Sequence, residues 1–186
     1  MDADNKPRII RGYHYTNDVA YGEMKKISYL TPVSNYPGRK ENVTFGFLEK
    51  EPNSWIQSKE FPNIWNELLE HLCYNAITSG ADNLIVLGFD IIQGDEAYVI
   101  DRGIYERGTN NARNPWDIES FRASRDYRIS RILVDEYNGE HELPELVIHN
   151  CIPLERLRIE SKICIKSLEN VEGEVKNLWG FLQNAS

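Results

Sequence analysis

The sequence predicts an α+β domain built round a largely antiparallel sheet. Three observations lead there. Segments rich in β-branched and aromatic residues recur along the chain, and one long stretch repeats with helical period. Strands and helices also follow one another without the regular βαβ alternation of a parallel sheet. The chain has 186 residues, 41% of them hydrophobic, which suffices for one core without disulfide or metal staples. Residues 1–8 read as a polar lead-in and 9–186 as a single domain.

The first strand is expected from Ile9 through Gly12-Tyr-His-Tyr-Thr16. Asn17 or Asp18 then suits the cap of a short helix over roughly 18–27. Two prolines and a glycine between Leu30 and Lys40 predict loop, and Val43-Thr-Phe-Gly-Phe-Leu48 a second strand. The clearest helix begins near Pro62, because proline suits a first turn. Ile64, Trp65, Leu68, Leu69, Leu72, Cys73 and Ala76 share one face, and Gly80 is a natural stop. Asn83 to Ile92 is a buried strand by its long apolar run. Gln93-Gly-Asp-Glu96 reads as a turn from which Ala97–Asp101 pairs back as a hairpin. Gly108 to Asp117 reads as loop, followed by a helix over roughly 117–125 and a further helical piece reaching Tyr137. Asn138-Gly breaks the chain. Glu145–His149 is a strand, and so is Leu157–Leu168, interrupted at Glu160-Ser-Lys. The tail over 171–183 has a helical pattern through Val175, Leu178, Trp179 and Leu182.

Charge and cysteine content narrow the function classes. The net charge is −8 and the pI near 5.1, which argues against a uniformly basic nucleic-acid binder. No apolar run approaches the roughly 18 residues that span a bilayer, so no membrane partner is expected. The polar start lacks the apolar segment of a secretion signal. Cys73, Cys151 and Cys164 cannot all pair within one chain, which predicts reduced thiols and a cytoplasmic setting. Glycine-rich dinucleotide and phosphate loops, HExxH and GxSxG are all absent. No four ligands converge in sequence, so no metal is expected.

Two segments carry chemistry. In Gly12-Tyr-His-Tyr-Thr-Asn17, His14 and Thr16 share one strand face. They either present an imidazole and a hydroxyl to a polar ligand or form an ordinary strand whose histidine is satisfied by backbone. In Leu143-Pro-Glu-Leu-Val-Ile-His-Asn-Cys-Ile-Pro-Leu-Glu-Arg-Leu157, Glu145 opens an apolar strand behind a proline. It is either a sheet-mounted carboxylate that meets substrate or a solvated edge glutamate, and Glu142 lies three residues before it.

Together these segments resemble the ADP-ribosyltransferase fold, most closely the branch of DNA-modifying ADP-ribosyltransferase toxins and their relatives. The likeness rests on the His-x-Thr strand at 14–16 and on Glu145-Leu-Val-Ile leading into Ile152-Pro-Leu-Glu155. It implies a split sheet flanked by helices, NAD as substrate and Glu145 as the catalytic carboxylate. It also implies that His14 and Thr16 hold the ribose side of NAD and that aromatic rings, Tyr15 or Tyr98, clamp the nicotinamide. The diphosphate needs donors, for which Arg11, Arg39 and Arg102 are the candidates. Cleavage of the nicotinamide–ribose bond passes through an oxocarbenium-like state that a carboxylate can stabilise. The acceptor would be a nucleic acid or a protein. NAD glycohydrolysis, transfer to an RNA phosphate, and a non-catalytic interaction or regulatory module of the same fold are the alternatives; the oligomeric state is open. Seven arginines against four acids between Arg102 and Arg131 place a basic stretch inside an acidic chain.

Overall fold

The computed structural model describes residues 10–32, 34–35, 42–110 and 118–165. The expectations for Arg39 and for the helical tail over 171–183 lie outside them. Every strand pairing among the described residues is antiparallel, in a mixed fold with five α-helices.

One half of the molecule is a three-stranded sheet. Its centre is β5 (Asn83–Ile91), flanked by β1 (Ile10–Asn17) and β10 (Leu157–Cys164). The expected interruption of the last strand is a register shift between Ile159 and Ser161. Helix α1 (Asp18–Ile27) follows β1 directly, and the Asn17 side chain caps it by accepting from the Ala20 amide at 2.9 Å. Helix α3 (Ile64–Thr78) buries Trp65, Leu69, Cys73 and Ala76 against this half, the face its periodicity predicts.

The other half is a five-stranded sheet of order β3-β4-β8-β6-β7. Its strands are β3 (Ser34–Asn35), β4 (Asn42–Gly46), β6 (Ala97–Asp101), β7 (Ile132–Leu133) and β8 (Pro144–Ile148). A two-stranded pair, β2 (Tyr29–Leu30) with β9 (Ile152–Pro153), stands beside it. Helices α4 (Arg102–Asn110) and α5 (Ile118–Ile129) cover one face.

The two halves meet at one bridge. Tyr13 and Phe47 exchange both amide hydrogen bonds at 2.8 Å. β1 therefore touches the edge of β4 at Phe47, while β3 takes β4 at Asn42 and Val43. Tyr15, Phe47, Trp55 and Trp65 surround this joint edge-to-face, with ring centroids 5.2–5.9 Å apart. Glycine is required here: a Cβ on Gly46 would lie 2.4 Å from the Tyr13 carbonyl oxygen.

Several elements differ from expectation. β6 does not fold back on β5 but pairs with β8 and β7. The turn closes on itself, with Asp95 accepting from the Ile92 amide, and is drawn to the far strand instead. Arg156 and Asn150 hold the Asp95 carboxylate, and the His149 amide donates to Glu96. Residues 102–110 are helix, although Gly103 and Gly108 lower the local propensity. Gly108 lets α4 approach α5, since a Cβ there would lie 2.2 Å from the Ala123 Cβ. The helical piece expected to reach Tyr137 ends at Ile129, and β7 follows. A short α2 (Asn53–Ile56) buries Trp55.

Candidate functional site

Glu145 is the second residue of β8, and its position follows from local hydrogen bonds. The Asp101 carboxylate accepts from the Gly103 amide at 3.0 Å and the Leu143 amide at 3.2 Å. The Arg102 amide donates to the Leu143 carbonyl at 2.9 Å. These bonds tie the β6–α4 corner to the entrance of β8 and bring Arg102 beside Glu145. On the other flank, the Asp101 amide donates to Ser130 Oγ, whose hydroxyl donates to the Tyr127 carbonyl. That anchors the end of α5 and points the Tyr127 hydroxyl at Glu145 Oε2, to which it donates.

The outcome is a compact charged cluster, buried at Glu145 and partly open at Arg102 and Glu106. Glu145 is only 7% exposed. Arg102 Nη1 lies 3.9 Å from its carboxylate, and Arg102 Nε donates to Glu106 at 2.6 Å. The Arg102 guanidinium also stacks over the Tyr105 ring at 4.7 Å. Burial pushes the Glu145 carboxyl above its ordinary value; Arg102 and the Tyr127 hydroxyl pull the other way, and burial wins. Burial works against the charge on Arg102, but Glu145 and Glu106 outweigh it and keep the guanidinium firmly protonated. A carboxyl raised in this way holds its proton to higher pH than an ordinary glutamate, and when ionised it can face a developing positive charge.

The first segment lies elsewhere. β1 sends Tyr13 and Tyr15 toward α3 and the aromatic joint. Gly12, His14 and Thr16 take the opposite face, where a Gly12 Cβ would meet Phe89 and Leu146. Leu146 is the neighbour of Glu145 in β8 and so points away from it. Glu145 shares its face with Val147, Ile100 and Tyr127. His14 and Glu145 thus leave the joined sheet on opposite sides, and the structure does not bring them into one cleft. His14 Nδ1 lies 2.7 Å from the Phe45 carbonyl oxygen, where β1 and β4 diverge past the bridge. This is the backbone-satisfied alternative raised above. Burial holds the imidazole below its usual pKa, with the Phe45 carbonyl opposing. Tyr15 donates its hydroxyl to the Lys50 carbonyl at 2.5 Å and is buried; Thr16 is buried too.

Tyr98 shares the Glu145 face two residues along β6. It packs edge-to-face on His149 and lies under the Arg131 guanidinium at 5.2 Å. Arg11 pairs with Asp90 at the surface. Glu142 is exposed and pairs with Arg107 at 2.5 Å, so of the two glutamates Glu145 is the buried one. Sequence reasoning missed Tyr127, Tyr105 and Glu106. The Arg102-x-x-x-Glu106 spacing was the available signal for a helix there. For Tyr127 it was the run Ser120, Ala123, Ser124, Tyr127 at one-face spacing.

Glu106 also lines an open cavity of about 230 Å³ with Glu60, Glu67, Asn63 and Asn110. Its acid lining suits a cationic group and opposes a diphosphate. A second cavity, of about 240 Å³, is bordered by Glu49, Ser54, Tyr137 and His141. Among the described residues, no three His, Cys, Asp or Glu side chains converge as metal ligands. No described helix is long and apolar enough to cross a membrane. Comparison of the chain with family models, curated proteins and solved structures finds no match.

Proposed function

We propose that the protein transfers ADP-ribose from NAD to a macromolecular acceptor, nucleic acid or protein, with Glu145 as the working carboxylate. The observation that carries this is Glu145 itself: a buried carboxyl at the entrance of a strand, hydrogen-bonded by Tyr127 and charge-balanced by Arg102. The likeness of the flanking sequence to ADP-ribosyltransferases supplies the substrate. On this reading the carboxylate faces the oxocarbenium-like ribose as nicotinamide departs, or takes the acceptor's proton. Tyr127 and Arg102 hold it in place and set its charge. His14 and Tyr15 are better regarded as builders of the fold, since both bond main-chain carbonyls.

A second reading, a non-catalytic interaction module, is favoured by one observation: His14 and Glu145 occupy opposite faces. Incubation with NAD labelled in the adenylate, in the presence of cell extract, separates the two. Label on nucleic acid or protein that vanishes in Glu145→Ala supports transfer. Free ADP-ribose without a labelled acceptor indicates glycohydrolysis. No NAD binding by calorimetry would sink both enzymatic forms and leave the module.

A further inference from the structure

We infer that the cavity beside the bridge between the two halves binds a small amino alcohol, a primary ammonium compound carrying a neutral hydroxyl. Leu48, Glu49, Pro52 and Ser54 line it from the chain that follows Phe47, and Tyr137, His141 and Pro144 from the approach to β8. Its volume of about 240 Å³ falls below the roughly 300–1,000 Å³ of sites for drug-sized ligands, so it holds only a handful of heavy atoms. Pro144 and Glu145 take opposite faces of β8, and no member of the Glu145 cluster lines the cavity. The inference is therefore independent of the NAD chemistry.

The lining selects the ligand. Tyr137 and His141 set their rings 5.2 Å apart between centroids, tilted by 36°. An aromatic face attracts a cation. His141 Nε2 lies 3.3 Å from the Val99 carbonyl oxygen. A carbonyl only accepts, so Nε2 carries the proton and Nδ1 is left as an acceptor. Glu49 accepts the Asn53 amide on Oε2 at 3.0 Å and has Oε1 to spare. Ser54 adds a hydroxyl, and neither lysine nor arginine lines the cavity. Burial raises the Tyr137 hydroxyl above its ordinary pKa; the His141 amide opposes this, and the carboxylates of Glu140, Asp101 and Glu49 add to it. The local field is negative, and an ammonium with three N–H donors meets acceptors and a ring face together.

The Tyr137 hydroxyl supplies the second requirement. The residue is 9% exposed, and its oxygen accepts from the His141 amide at 3.4 Å. Among the described residues its own proton has no acceptor. An oxygen on the ligand would take it. A carboxylate could do so too, but the surrounding acids oppose a second negative charge, which leaves a neutral hydroxyl.

The test titrates the full chain with three probes of equal length: propanolamine, butylamine and butanol. Binding is read from the amide shifts of Ser54, Gly139 and His141 in nitrogen-15 NMR, at a pH where both amines are cationic. Propanolamine should saturate these shifts, and butylamine, lacking the oxygen, should bind about fivefold more weakly. Butanol should give no saturable shift. Glu49→Gln keeps an oxygen for the Asn53 amide and should weaken both amines about fivefold. Tyr137→Phe should abolish the preference for propanolamine while butylamine binds as it does to the wild type. Thermal melts check that each variant is folded. Butanol binding as tightly as the amines, no saturable shift with propanolamine, or wild-type affinity in Glu49→Gln would overturn the inference. So would a preference for propanolamine that survives Tyr137→Phe.

Discussion

The two halves of the sheet treat buried polar groups in opposite ways. On the β1 side, His14 and Tyr15 bond carbonyl oxygens of Phe45 and Lys50, and the rings around them form the aromatic joint. On the β8 side, a carboxylate, a guanidinium and a second carboxylate are gathered under α4 and α5 with Tyr127. A neutral buried network stabilises at little cost once its bonds are made. A buried carboxylate pays for desolvation, and Arg102 and the Tyr127 hydroxyl offset that cost here.

The largest expected effect breaks the first half. Phe47→Ala removes the ring that contacts Tyr15, Trp55 and Trp65 at the bridge, and should destabilise the fold by about 3–5 kcal/mol in urea denaturation. A loss below 1 kcal/mol would mean the halves do not depend on their joint. A smaller effect probes the second half. Tyr127→Phe leaves the Glu145 carboxylate without its hydroxyl donor and should cost about 1–3 kcal/mol. The Glu145 pKa should rise further, readable by carbon-13 NMR of the labelled carboxyl.

The pH dependence should carry opposite signs in the two halves. His14 has a lowered folded pKa, so the unfolded chain binds its proton first. Its contribution is intact above about pH 6.5 and is lost as pH falls from there through the folded value. Glu145 has a raised folded pKa. Above its ordinary 4.5 the native state holds the extra proton, so its contribution falls as pH rises through the folded value. His14→Gln should remove a rise of stability with pH that ends near pH 6.5, and Glu145→Gln a fall of stability with pH that begins near pH 4.5, measured by denaturation between pH 4 and 8. Exchange of these two effects would invert the assignment. The smallest effect concerns thiols. Burial, with Glu70 adding, pushes the Cys73 thiol up to about 11, whereas Cys151 and Cys164 are exposed. A disulfide reagent at pH 8 should modify two thiols quickly and Cys73 only after unfolding.

Much of the fold was legible because its signals are local. Asn17 caps α1, the apolar face of α3 is periodic, and β5 is one long apolar run. The pairing of β6 was not legible, because it is decided by Arg156 and Asn150 gripping Asp95 from more than fifty residues away. Helix α4 was hidden by glycines that serve packing against Ala123 rather than propensity. Within the site, Glu145 and Arg102 could be named from sequence. The side of the sheet each residue faces could not. Strand alternation fixes faces within β1 and within β8, but the Tyr13–Phe47 bridge and the approach of Gly12 to Leu146, both tertiary, relate one strand's faces to the other's.

The division of labour between the halves is tested most directly by the rate of nicotinamide release from NAD. The purified protein would be supplied with cell extract, and wild type compared with Glu145→Gln and His14→Gln at matched folding. A roughly 100-fold or greater loss in Glu145→Gln, with His14→Gln retaining most of the rate, is the predicted result. Equal losses in both variants, or no release by the wild type, would contradict it.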